Sequence, residues 1–349
     1  MWQNNSAEHV PTRSEAPPST AEKARQVAGL SSAAGRVAGR PHCSSPAIHT
    51  VELSKQYRHA IALDGLSMTV ARGEIFGFLG PNGAGKTTAV KLLLGLVHAS
   101  GGEAMVLGAP AGDVATRRHI GYLPELFRFQ AWLTAREVLL LHCRLLRLAK
   151  PTWRDEVAET LATVGLSDRA GDKVGAFSKG MQQRLGLGVA LLGEPELVML
   201  DEPTSALDPL GRHDVRSIVR TLKSRGTTVF LNTHLLEEVE HVCDRVAVID
   251  RGRTIATGTL SELVGQQSSV RLHVIGLGEA HRTELSCFGA IRSEPAPEVD
   301  GEWLLVESIA ADQVPALVRT IVRLGGDVMA VVPARKSLEA RFLELLGAS

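Results

Sequence analysis

The chain has 349 residues, 44% of them hydrophobic, 22% charged and 4% aromatic, with 38 basic side chains set against 38 acidic ones. That is too apolar for a disordered chain and too long for one small module; at about 150 residues per domain the length suggests two domains and a tail. Zero net charge excludes a chain-wide basic footprint for nucleic acid, and no nucleic-acid partner is expected.

Residues 1–46 are rich in Ser, Ala, Pro, Gly and Arg, which predicts a disordered tail with at most a short helix from Thr20 to Val27. The tail has no contiguous apolar core of the kind a secretory signal needs. From Ile48 the texture changes. Ile48 to Leu53 and Leu66 to Val70 alternate apolar and polar residues, as half-buried strands do. Ile75 to Leu79 is a continuous apolar run, suited to a strand buried on both faces. A Gly-rich segment follows, then a helical pattern over Thr87 to Leu96.

Between about 131 and 175 the pattern is helical. Thr134 can cap Ala135 to Leu148, and Trp153 to Val164 ends at Gly165. A helix over Ser178 to Leu192 leads to a buried strand, Leu197 to Leu200. Then come helix 207–225, strand 227–231, helix 235–242 and strand 245–249. Strands alternating with helices imply a mostly parallel α/β sheet. A composition shift at Gly265 to Ser269 opens a second region. It reads strand 269–275, helix 279–288, strands 289–294 and 302–307, helix 311–324, strand 327–332 and helix 337–346, a ferredoxin-like βαββαβ order with an added helix. The four cysteines lie far apart with no C-x-x-C pair, which suits a reducing compartment. No stretch approaches the ~20 apolar residues of a membrane span.

Gly80-Pro-Asn-Gly-Ala-Gly-Lys-Thr-Thr88 contains the pattern G-x-x-x-x-G-K-T. A polyphosphate needs several backbone N–H groups aimed inward at once. Glycines permit the conformations and close approach that such a nest requires. The following helix adds free N–H groups and its positive dipole end. Lys86 supplies a point charge for the β- and γ-phosphates, and the Thr87 hydroxyl suits Mg²⁺. The apolar strand before the loop and the helix after it meet the context that the motif demands.

Strand 197–200 ends in Asp201 and Glu202. An acid at that end of a buried parallel strand faces the ligand crevice. Asp201 suits Mg²⁺ and Glu202 can polarise an attacking water. Between the two motifs lies Phe177-Ser-Lys-Gly-Met-Gln-Gln-Arg184. Here the chain resembles the ATP-binding cassette (ABC) ATPases, whose signature is LSGGQQQR. Ser178, Gly180, Gln182, Gln183 and Arg184 match it, whereas Phe177, Lys179 and Met181 depart. Ser178 and the backbone near Gly180 open a helix, a place suited to an anion. Tyr57 stands where the family has its adenine-stacking aromatic, Ser205 to Asp208 resembles the loop joining two sites of a dimer, and His234 resembles the switch histidine. After Ile120-Gly-Tyr-Leu-Pro124, Glu125 stands where many members have a glutamine at Mg²⁺.

The resemblance covers residues 48–265 and implies a P-loop NTPase cassette over 47–265, with a helical subdomain at about 126–180; the strand and helix order after it gives the small α+β ferredoxin-like domain over 266–349. The resemblance implies ATP binding by Tyr57, Asn82, Gly83, Gly85, Lys86, Thr87 and Thr88, with Ser178, Gly180 and Asp208 supplied across a head-to-tail dimer. Mg²⁺ would be held by Thr87, Glu125 and Asp201, and hydrolysis carried by Glu202 and His234. The C-terminal run Lys336 to Leu346, with Gly73 to Gly77 and Tyr122 to Glu125, resembles the ABC-2-type exporter branch. That implies a separate integral-membrane permease, a homodimeric or heterodimeric ATPase and a peripheral position on the cytoplasmic face of the inner membrane. Phe127, Phe129 and Trp132 read equally as packing or as a groove for a permease helix. The alternative to transport is a cytosolic ABC ATPase acting on ribosomes or DNA. Against it stand a single cassette and the absence of sustained heptads in the roughly 90 residues between Lys86 and Ser178.

Overall fold

The structure is a computed structural model that describes residues 45–349, apart from 59, 206, 265–268, 296–299, 335–337 and 348–349. The first 44 residues of the expected tail, with its short helix, lie outside the described residues.

Three sheets organise the described chain. The first is antiparallel, in the order β2-β1-β4-β5, from β1 (Ile48–Tyr57), β2 (Ala60–Val70), β4 (Gly101–Val106) and β5 (Ala109–Pro110). The second has six strands in the order β10-β9-β3-β8-β7-β6. Its members are β3 (Ile75–Leu79), β6 (Ile120–Leu123), β7 (Leu197–Asp201), β8 (Thr228–Thr233), β9 (Arg245–Asp250) and β10 (Arg253–Thr259). All its pairings are parallel except that of β10 with β9.

Every residue of β3, β7 and β8 is buried. The period of two then divides their side chains between two cores. Phe76, Phe78, Leu197, Met199 and Phe230 face the first sheet and helix α1 (Lys86–Leu93). Ile75, Leu79, Val198, Leu200, Val229 and Leu231 face the other way, with α2 (Ala135–Leu145), α3 (Trp153–Thr163), α4 (Lys179–Leu191), α5 (Pro209–Ser224) and α6 (Leu236–Val242). Phe230 meets Phe76 and Phe78 at ring-centroid distances of 6.0 and 5.3 Å, tying β8 to β3 beneath the phosphate loop.

The expected elements of this region are present, with shifted ends. The first two strands run on to form a hairpin reaching Tyr57, with register shifts along their pairing that break the alternation. Helix α2 opens on the expected Thr134 cap, a full capping box with Glu137, and stops at Leu145, short of Leu148, as Arg147 adopts a φ of 57°. Strands β4, β5, β6 and β10 carry no alternation signal in the sequence; β5 and β10 are edge strands, and the short helix α7 (Leu260–Val264) follows β10.

The third sheet is built from β11 (Ser269–Ile275), β12 (Ala290–Pro295), β13 (Glu302–Glu307) and β14 (Asp327–Ala334), with α8 (Glu279–Leu285) and α9 (Val314–Arg323). Its order is β12-β13-β11-β14 and every pairing is antiparallel, the ferredoxin-like arrangement. It has its own core of Val270, Leu272, Val274, Leu304, Val306, Leu317 and Ile321. The last helix, α10 (Leu338–Gly347), behaves differently. Leu338 belongs to the helix-side core of the second sheet, with Phe342 and Leu345 packed against it. The Leu338 N–H donates to Glu240 Oε1 of α6 at 2.9 Å, and Arg341 Nε donates to the Leu263 carbonyl of α7 at 3.2 Å.

This docking gives a stability prediction. Leu338→Ala should lose about 2–4 kcal/mol in urea unfolding, because Leu338 is 2% exposed. Leu343→Ala on the same helix, at 62% exposed, should change stability by less than about 0.5 kcal/mol. Equal losses from the two variants would contradict the docking.

Candidate functional site

The phosphate loop leaves β3 and enters α1. A Cβ on Gly80 would sit 2.3 Å from the Ile249 carbonyl oxygen of β9, so only glycine lets the loop start so close to its neighbour. Gly85 has a φ of 102°, and a Cβ there would sit 2.3 Å from the Ala62 carbonyl. The loop is thus pressed between β9 and β2. Lys86 is the first residue of α1 and is 7% exposed. Its Nζ donates to the Gly80 carbonyl at 2.8 Å and the Pro81 carbonyl at 3.2 Å, so it spans the loop. Burial pulls the Lys86 ammonium below the usual lysine range, and Glu202, Asp201 and Glu125 oppose that shift.

Two strands away, β7 ends at Asp201, followed by Glu202; they are 1% and 7% exposed. Asp201 pairs in register with Asn232 of β8, whose side-chain amide donates to Asp201 Oδ1. Burial raises the Asp201 carboxyl, the Asn232 hydrogen bond opposes that shift, and the nearby Glu125 and Glu202 charges add to it. Glu202 has a φ of 51°, a rare conformation for a non-glycine residue. Its N–H donates to the Asn232 carbonyl at 2.9 Å. Its carboxylate lies 2.8 Å from His234 Nδ1 at Oε1, and accepts from Thr233 Oγ1 at 3.3 Å at Oε2. The strained residue is therefore held from three points on β8 and the loop after it.

These pieces line one cleft of about 440 Å³, walled by Ala62, Asn82, Gly83, Gly85, Lys86, Thr87, Thr88, Glu125, Asp201, Glu202, Asn232 and His234. Ten of the residues singled out from the sequence meet there. Tyr57, Ser178, Gly180 and Asp208 do not line it. Tyr57 is at the end of β1, with the Lys55 ammonium 4.8 Å from its ring centroid. Ser178 caps α4, its Oγ accepting from Met181 N, and Asp208 caps α5, its carboxylate accepting from Gly211 N at 2.9 Å. Gly180 lies beside Leu207, so the signature helix and the Asp208 loop adjoin.

Sequence reasoning missed Ala62, Thr233 and Asn232 as site residues. Asn232 had a signal: a polar amide directly after the apolar run Val229 to Leu231. Its side-chain oxygen is buried without a hydrogen-bond partner, while its amide is committed to Asp201.

Among the described residues no group of three or more His, Cys, Asp or Glu side chains could hold a metal alone. The hard oxygens of Thr87, Asp201 and Glu125 beside the phosphate nest nevertheless fit Mg²⁺, which takes one or two carboxylates and completes its shell with phosphate and water. A second cleft of about 440 Å³ opens next to Glu125, lined by Tyr122, Phe127, Phe129, Leu141, His142, Leu145 and neighbours. Phe127 and Phe129 are partly buried against the core there, whereas Trp132 is 70% exposed and does not line it. No helix among the described residues is long and apolar enough to cross a membrane.

Comparison with known proteins agrees with this geometry. Residues 63–205 match the family described as ABC transporter. An ABC transporter ATP-binding protein of Nostoc sp. is 38% identical over 85% of this chain and 88% of its own length. The Nod factor export ATP-binding protein I of Burkholderia orbicola is 37% identical over 84% of this chain and 95% of its own. The linearmycin resistance ATP-binding protein LnrL of Bacillus subtilis is 38% identical over 65% and 75%. A solved ATP-binding subunit of an ABC transporter superposes with a TM-score of 0.57 at 32% identity, covering 62% of this chain and 91% of that one. Sequence likeness along most of the chain and a shared cassette fold lead to one conclusion: the chain belongs to the family of ABC transporter ATP-binding proteins.

Proposed function

We propose that this ATPase powers export of a substrate through a separate integral-membrane permease of ABC-2 type, from the cytoplasmic face of the inner membrane. Like other members of its family, it binds ATP and couples hydrolysis to transport. Export is favoured by its likeness to relatives named for Nod factor export and linearmycin resistance, and no observation favours a ribosomal or DNA role.

The observation that carries the catalytic reading is the Glu202–His234 contact of 2.8 Å in the phosphate-loop cleft. The γ-phosphate end of ATP would lie among Lys86, Asp201, Glu202 and His234. Loop N–H groups and the α1 N-terminus bind the phosphate oxygens, and Lys86 neutralises their charge. Glu202 orients and polarises the attacking water; His234 fixes the carboxylate and reaches toward the γ-phosphate. Thr87, Asp201 and Glu125 would hold Mg²⁺, which neutralises charge developing on the β- and γ-oxygens when bound. Tyr57, Ser178, Gly180 and Asp208 are read as contributions to a nucleotide between two copies, Tyr57 stacking on adenine and the other three acting from the partner. ATP then closes a head-to-tail homodimer, and its differential affinity for the closed state couples hydrolysis to motion. The apolar cleft beside Glu125 suits a cytosolic helix of the permease.

Glu202→Gln should retain ATP binding, accumulate as an ATP-bound dimer in size-exclusion chromatography and lose at least about 10²-fold in turnover. Wild-type turnover in that variant would remove Glu202 from catalysis. Asn232→Ala should raise the Mg²⁺ concentration needed for half-maximal ATPase activity by about tenfold, since it strips Asp201 of its donor. An unchanged Mg²⁺ titration would mean that Asp201 needs no such orientation.

A further inference from the structure

Helix α6 starts two residues after His234 and has only seven residues, Leu236–Val242. A helix so short has little stability of its own, and its N-cap Leu235 gives it no side-chain cap. Its orientation must come from what it touches, and His234 rides on its N-terminal end. His234 is itself 42% exposed at the side chain, so packing does not fix the ring.

One tie stands out in the first turn of α6. Arg216 of α5 reaches across with its guanidinium. Nε donates to Glu238 Oε2 at 3.0 Å and Nη2 to Glu238 Oε1 at 2.8 Å, a planar two-bond fork. The same Nη2 donates to Glu237 Oε1 at 3.0 Å. The fork is nearly dry: the Glu238 side chain is 3% exposed and that of Arg216 14%. Buried ion pairs are a poor source of stability compared with apolar packing, but a bidentate fork fixes both distance and rotation. The helix Arg216 belongs to begins at Asp208, two turns earlier and roughly 12 Å along the axis. One guanidinium thus locks the helix behind His234 to the helix that Asp208 caps.

We propose that Arg216 is a positioning residue for ATP hydrolysis, which clamps α6 to α5 and thereby holds His234 against Glu202. The proposal rests on the catalytic reading of His234 and Glu202 given above. A purely structural role for the fork would lower stability without selecting the hydrolytic step. Positioning makes a narrower demand. Neither Arg216 nor Glu238 lines the cleft, so losing the clamp should spare ATP binding and slow turnover through His234.

The test uses the full chain and compares Arg216→Met, Arg216→Lys, His234→Ala and the double variant Arg216→Met/His234→Ala. Steady-state ATPase kcat and KM, binding of a fluorescent ATP analogue and thermal melting are measured for each. Lysine keeps the charge but cannot make the fork. The expected result is a kcat at least tenfold lower in Arg216→Met and Arg216→Lys, with KM and analogue affinity within threefold of wild type. The double variant should then be no slower than His234→Ala alone. If Arg216→Met fails to fold, Arg216→Lys carries the same comparison, alone and with His234→Ala. Wild-type kcat in the folded Arg216 variants, with His234→Ala slow, overturns the clamp and leaves the catalytic reading intact. Losses that multiply in the double variant also overturn it. Wild-type kcat in His234→Ala overturns the catalytic reading and the proposal together.

Discussion

Two carboxylates stand side by side at the end of a strand with no exposed residue, and the rest of the site is arranged around that constraint. An ion taken out of water costs several kcal/mol even after a protein relaxes around it. Asp201 and Glu202 are answered from β8 and the residue after it: the Asn232 amide for the first, Thr233 and His234 for the second. Lys86 opposes both from the phosphate loop. Each partner is available only because β7, β8 and β3 lie next to one another in register, with Asp201 beside Asn232 and Leu79 beside Thr233. The parallel order of the central strands is therefore part of the chemistry. It brings the phosphate loop, the acids and the histidine to the same edge, where open α/β sheets bind their ligands.

Much of this was legible in the sequence, for identifiable reasons. The loop Gly80 to Thr88 has backbone requirements that few residue patterns meet, and the apolar runs 75–79 and 197–200 could hardly lie anywhere but in a buried sheet. The ferredoxin-like order of the last sheet followed from alternation and helix periodicity. Asn232 was harder to see, because its importance comes from a neighbour 31 positions away across a strand pair. Strands β5 and β10 escaped because edge strands need no continuous apolar run. Helix α10 shows a different limit. Its apolar stripe announces burial, but a stripe does not say against which core, and it lies on the second sheet's helices. Arg216 is similar: α5 carries Arg212, Arg216, Arg220 and Lys223, and only packing shows which of them meets a buried glutamate.

The cleft is also one-sided. Ten candidate residues converge, while Ser178, Gly180 and Asp208 occupy helix starts outside it. Ser178 and Asp208 do local work as caps, which would account for their residue types in any isolated chain. The second role proposed for them would need a closed dimer, in which the helix start at Ser178 would meet the phosphates held by the other copy. In such a dimer the proposed clamp at Arg216 would link the two groups, since Asp208 and His234 precede the N-terminal ends of the two helices that it ties.

The claim that a complete site takes two copies of the chain is tested most directly by the ATPase rate of a mixture. A chain bearing Ser178→Arg and a chain bearing Lys86→Ala should each be inactive alone, the first for want of a partner's anion site and the second for want of its own phosphate lysine. Mixed, they can form a dimer in which one site draws its Lys86 from one chain and its Ser178 from the other, and activity should return. Wild-type turnover by the Ser178→Arg chain on its own would contradict the account.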